Sequence, residues 1–261
     1  MNTETLNSND TSVATAQVEP SYIKTSLGRS LAWLLAIAVT YFFAAFLYAV
    51  GAGIYYGVTQ PELMQADGAN VVTAHMMSPN GLTGSYIVIF ITVMLVLHKA
   101  ASFPQQTWSK TLAMHSVAFR SYLPWLGLFA IYYVLASLVS YIAQIDAGEF
   151  VASIKNTQHL GLFFTMVFLA PIVEELVFRG YLFQAWRNSW LGLWGTILLT
   201  SVLFTLIHAG QYPALVLGML FCFSLLLGVA REKTGSVFVP MAIHAVNNFI
   251  ACVLIVFLGI V

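Results

Sequence analysis

The chain has 261 residues, 59% of them hydrophobic and 8% charged, with ten Lys and Arg balanced by ten Asp and Glu. A mean hydropathy of +0.84 excludes an ordinary soluble domain and places the chain in a bilayer. A net charge of zero without a basic stripe excludes a nucleic-acid partner, and Cys222 and Cys252, both inside apolar runs, exclude a disulfide framework.

In chain order, residues 1–22 are polar, rich in Ser, Thr and Asn, and lack an apolar core. They are expected to be a disordered cytoplasmic tail and not a signal peptide. Because about 20 apolar residues cross the hydrocarbon, the sequence predicts seven spans, at 31–55, 82–97, 123–145, 160–186, 191–208, 212–230 and 237–258. The fold class is therefore an all-α, polytopic membrane helix bundle: a cytoplasmic tail, N-terminal helices and loops at 23–159, and a core at 160–261. Lys24, Arg29, Lys99, Lys110, Arg120, Arg187, Arg231 and Lys233 fall on the side of the N-terminus, against Lys155 alone on the other. That asymmetry predicts a cytoplasmic N-terminus. Two long connections remain, 60–81 outside and 98–122 inside. In the second, Phe103, Trp108, Leu112, Val117 and Phe119 alternate with Lys110, His115 and Arg120, which fits an amphipathic interfacial helix or, more simply, an interfacial connector.

Within the fourth span stand Glu174 and Glu175, in Pro171-Ile-Val-Glu-Glu-Leu-Val-Phe-Arg179-Gly180. Ionisable groups at membrane depth are costly and face a partner or a wet cavity, so they mark a functional site. Glu175 and Arg179 are four apart with the acid first, the favourable order for a helical ion pair. Glu174 projects about 100° away around the helix, free for another neighbour. Pro171 removes a backbone N–H and frees a carbonyl one turn earlier, favouring a kink and a polar pocket. The fifth span ends in Phe204-x-x-x-His208 and the seventh contains His244-x-x-x-Asn248, each pair on one helical face. His75, His98, His115 and His159 lie outside the spans or at their ends and receive no role.

Read as chemistry, a base that activates water plus donors aimed at a developing oxyanion is what peptide hydrolysis needs when no Ser or Cys nucleophile is present. Two readings compete with hydrolysis by a metal-free glutamate. Glu174, His208 and His244 are zinc-ligand types, although the His-Glu-x-x-His helix is absent. The same residues would serve as a proton relay in a transporter, although no inverted repeat is evident and a proton path gains little from Asn248.

The ordered set Glu-Glu-x-x-x-Arg, Phe-x-x-x-His and His-x-x-x-Asn on successive apolar segments resembles the CPBP family of intramembrane proteases, which includes the type II CAAX prenyl endopeptidase and the bacterial abortive-infection proteins. The likeness runs over 160–258. It implies an intramembrane glutamic endopeptidase with Glu174 as catalytic base, His208 as its partner, and His244 with Asn248 as oxyanion donors. Glu175, Arg179 and Phe204 support them. It implies no cofactor, zinc being the minority alternative, and a membrane-associated protein or peptide substrate, prenylated or otherwise lipid-linked. A scaffold or immunity protein of the same fold without the chemistry is a further alternative. Family members commonly show eight spans, so eight is the alternative to seven. The site is expected to open to the cytoplasm, and oligomeric state is left open.

Overall fold

The computed structural model describes residues 26–103, 106–146 and 148–260; the expected tail at 1–22 lies outside them. All regular structure among these residues is helical: α1 (Leu27–Thr59), α2 (Pro61–Met77), α3 (Pro79–Ala101), α4 (Trp108–Thr111), α5 (Leu123–Ala143), α6 (Glu149–Ile154), α7 (Leu160–Trp186), α8 (Gly192–Leu206), α9 (Ala214–Thr234) and α10 (Phe238–Phe257). Six of them, α1, α3, α5, α7, α9 and α10, are long and apolar enough to cross a membrane. The protein is an all-α, multi-pass integral membrane bundle. Of the seven expected spans, only the fifth falls short: α8 has 15 residues, about 22 Å at ~1.5 Å per residue, against about 30 Å of hydrocarbon.

The two long connections are built differently. The outer one is helical, since α2 starts on Pro61, which suits a first helical turn, and it bends at Asp67. The inner one is no amphipathic helix. After the four residues of α4 the chain turns through a left-handed Ala113 (φ 53°) and regains one 3-10 turn at Phe119–Ser121. What holds it is tertiary. Leu112 is fully buried against Gly180 of α7, where even a Cβ would come within 3.3 Å of it. The Val237 N–H donates to the Ala113 carbonyl (3.1 Å) and the Ser236 hydroxyl to that of His115 (2.6 Å). Buried carbonyls must find donors, and α10's first turn supplies them.

The starts of α1 and α10 and the ends of α3, α7 and α9 gather at one end, here called the basic end. There Trp186 Nε1–H donates to Ser30 (2.8 Å), Arg187 grips both oxygens of Glu232 (2.7–3.0 Å), and Arg29 lies over the Phe103 ring at 4.8 Å. At the opposite end His159 caps α7: its Nδ1 accepts the Leu162 N–H (2.9 Å), so its Nε2–H donates to Asn80 Oδ1 (2.8 Å). Between the two ends α7 is the most enclosed of the spanning helices, flanked by α3, α8, α9 and α10.

The contact between Gly180 and Leu112 gives the first prediction. Gly180→Val overpacks it and lowers stability by about 1–3 kcal/mol, read as an earlier thermal transition in detergent; an unchanged transition would show that the loop does not pack there.

Candidate active site

Two widened turns shape α7. π-helical segments at Thr165–Leu169 and Leu176–Leu182 bracket the α-turn Ala170–Glu175, and such bulges gather at functional sites. The first follows from Pro171. In this register the Ala170 N–H reaches back five residues to Thr165, and the next N–H, which would meet the Met166 carbonyl, belongs to a proline and does not exist. Asn248 of α10 fills the gap: its amide Nδ2–H donates to Met166 O at 2.8 Å. Its Oδ1 accepts from Asn247 (3.2 Å). The carbonyl freed by Pro171 is thus met by a side chain, and the amide expected to face an oxyanion has one donor engaged by backbone.

Glu175 and Arg179 are both fully buried and paired at 2.9 Å. The same carboxylate oxygen, Oε1, accepts Nδ1–H of His244 at 2.9 Å. Arg179 Nη2–H donates to the Ser224 hydroxyl (2.6 Å) and carbonyl (3.1 Å) on α9, and the guanidinium lies 4.6 Å over the Phe204 ring of α8. One ion pair thus ties α7, α8, α9 and α10 together. Its geometry also sets a tautomer: with Nδ1–H given to a carboxylate, His244 presents Nε2 to the other side.

Glu174 lies on that side. Its Oε2 is 3.8 Å from His244 Nε2, and it has no hydrogen-bond partner among the described residues; Oε1 receives the Tyr86 hydroxyl of α3 at 3.5 Å. The side chain is 13% exposed where its neighbour Glu175 is at 0%. The adjacent carboxylates thereby differ: Glu175 Oε1 is held by Arg179 and His244, Glu174 Oε1 takes one long bond from Tyr86, and the Oε2 of each has no hydrogen-bond partner among the described residues.

His208 stands on the turn after α8. Its Nδ1–H donates to the Phe204 carbonyl (2.8 Å), which leaves Nε2 as the lone-pair nitrogen. The Phe204 ring separates the histidines, 5.0 Å from His208 and 5.7 Å from His244. No hydrogen bond or ion pair joins His208 to Glu174 among the described residues. Tyr212 stacks on His208 (6.1 Å between rings); burial pushes its phenol up to about 12, with the Glu174 carboxylate adding to the rise. Tyr212 is therefore a protonated donor throughout the physiological range.

The structure brings Glu174, Glu175, Arg179, Phe204 and His244 into direct contact, sets His208 one ring away, and places Asn248 one turn along α10. Sequence reading missed Tyr86, Ser224 and Tyr212. Each is a single polar group in or beside an apolar run with no periodic partner, so only the three-dimensional packing singles it out. Among the described residues no three His, Cys, Asp or Glu side chains converge as a metal-binding group, Glu174, His208 and His244 included. Toward the basic end every residue from Glu175 to Trp186 is buried, Leu112 sits on Gly180, and Arg231 Nε–H donates to the Arg179 carbonyl at 2.9 Å.

Residues 156–250 match the family described as type II CAAX prenyl endopeptidase Rce1-like. An Escherichia coli protein named "Uncharacterized 24.3 kDa protein" is 32% identical over 127 residues, covering 46% of this chain and 58% of that protein. The chain thus spans little more than half the length of this relative, and no solved structure matches. The matched segment 156–250 carries Glu174, Glu175, Arg179, His208, His244 and Asn248, and over it the chain is similar to the Rce1-like family of type II CAAX prenyl endopeptidases.

Proposed function

We propose that this protein is an intramembrane glutamic endopeptidase that hydrolyses a peptide bond in a membrane-associated protein or peptide. The observation that carries the reading is the difference between the two glutamates: Glu175, at 0% exposure, has Oε1 held by Arg179 and His244, while Glu174, at 13%, sets an unpartnered Oε2 3.8 Å from His244 Nε2.

Glu174 Oε2 takes a proton from water as the oxygen attacks the scissile carbonyl. One proton shared between Glu174 and His244 brings the set Glu174, Glu175, Arg179 and His244 to zero net charge, the state a buried cluster tolerates. With that proton on Nε2, His244 donates to the developing oxyanion while Nδ1–H stays on Glu175. The second amide hydrogen of Asn248 assists. The proton on Glu174 then passes to the leaving amine as the C–N bond breaks, and His208 Nε2 and the Tyr212 phenol hold the water and the departing peptide. Phe204 spaces the histidines, and Glu175 with Arg179 positions His244.

Glu174→Gln is expected to lower cleavage at least about 100-fold, and His208→Ala and His244→Ala by a similar factor, all three remaining folded in detergent. Full activity in Glu174→Gln would remove the proposal. Arg179→Ala strands Glu175 in the core and is expected to cost about 3–5 kcal/mol of stability together with activity; loss of turnover with an unchanged melting curve would contradict its role as a structural partner. Treatment with EDTA should leave hydrolysis intact, and activity that disappears with the chelator and returns with zinc would install the metal mechanism instead.

A further inference from the structure

Away from the glutamate site, a cavity of about 480 Å³ lies between α1, α2 and α3, within the roughly 300–1,000 Å³ of small-molecule pockets. Its centre is His75, in the last turn of α2. The Tyr48 hydroxyl stands 3.4 Å from Nε2 and the Tyr56 hydroxyl 3.3 Å from Nδ1. The Tyr48 ring stacks on the imidazole at 6.0 Å, and the Tyr56 ring meets it edge-on at 5.5 Å. Two glycines of α3 let this cage close: a Cβ at Gly84 would strike the Tyr48 hydroxyl, and one at Gly81 the His75 carbonyl.

Between the two tyrosines, Gly51 and Ala52 form the floor, one turn from each on the same face of α1. That face is open. Gly51 is exposed with nothing within 4 Å of where its Cβ would stand, and Leu47 and Tyr55 beside it are 49% and 61% exposed. On a helix that crosses the membrane such a face meets lipid and not a dissolved solute. The tyrosines lie toward the C-terminal end of α1, and membrane tyrosines gather at the level of the headgroups.

Polar chemistry narrows the occupant. A neutral imidazole donates from one ring nitrogen and accepts at the other, so whichever tautomer holds, one tyrosine hydroxyl gives its proton to His75 and the other receives one. Outward the trio presents one free O–H and free phenol lone pairs, a donor and an acceptor with no net charge. Among the described residues no Lys, Arg, Asp or Glu lines the cavity, and a headgroup of net charge would be desolvated there without a counter-charge. An ammonium is attracted to aromatic faces within about 6 Å, and a phosphate oxygen accepts the free O–H.

We infer that this cavity binds a zwitterionic phospholipid, with its ammonium over the tyrosine rings, its phosphate accepting the free phenol O–H, and its chains running along Leu47 and Val88. The site stands apart from the proteolytic reading.

Native mass spectrometry of the full-length protein in detergent, titrated with dioleoylphosphatidylethanolamine, dioleoylphosphatidylcholine and dioleoylphosphatidylglycerol, tests it. At least one of the two zwitterionic lipids is expected to bind about tenfold more tightly than the anionic one; affinity for both no greater than for the anionic lipid overturns the headgroup class. Gly51→Leu fills the cavity from its open side without a clash, and is expected to weaken binding of the preferred lipid by about tenfold at an unchanged thermal transition. Wild-type affinity in that folded variant overturns the site. Tyr48→Phe combined with Tyr56→Phe keeps both rings and removes both hydroxyls, and it decides if Gly51→Leu does not fold. A loss of affinity of about fivefold or more is expected there, and no loss overturns the proposal.

Discussion

The buried triad of Arg179, Glu175 and His244 is the constraint on which the rest of the site depends. A guanidinium and a carboxylate with no exposure to water are stable only if their remaining hydrogen bonds are met, because taking charges out of water costs several kcal/mol each. Ser224 supplies two acceptors from α9 and His244 a donor from α10, leaving Glu175 Oε2 and Arg179 Nε without a partner among the described residues. The bonds that are made dock three helices in one register. It also fixes the imidazole of His244 in the orientation that points Nε2 at Glu174.

The second constraint is in the backbone. Pro171 breaks the hydrogen-bond ladder of α7, the helix widens, and the orphaned Met166 carbonyl is met by Asn248. An unpaired carbonyl in a membrane interior costs several kcal/mol, so this side-chain bond stabilises the same α7–α10 contact that the ion pair makes two turns away. Asn248 consequently has a structural duty beside any duty to substrate. Helices outside the family-matched segment also take part: Tyr86 of α3 holds the free carboxylate, and the Leu112 loop packs beneath Gly180. The N-terminal half is part of the site's wall.

The chain by itself determined that the fold is a helical membrane bundle, because runs of apolar residues about 20 long have no other stable solution in lipid. Glu174, Glu175, Arg179, His208, His244 and Asn248 were equally legible, since ionisable and amide side chains inside such runs stand out against their background. The i, i+4 spacing of Glu175 and Arg179 foretold their pair, and the missing N–H of Pro171 foretold a freed carbonyl. Such signals are local and need only helical geometry.

Tertiary structure alone decided the remainder. That Asn248 is the partner of the Met166 carbonyl, that Ser224 receives Arg179, and that Tyr86 meets Glu174 are contacts between residues 45 to 88 positions apart, and spacing along one helix cannot report them. The loop 98–122 looked amphipathic by composition, yet a buried Leu112 and backbone bonds to α10 override that pattern. Which stretch of α7 is enclosed on all faces was likewise invisible in one dimension: enclosure comes from how side chains of different helices fill space around Gly180, and a sequence lists residues in order of chain and not in order of depth.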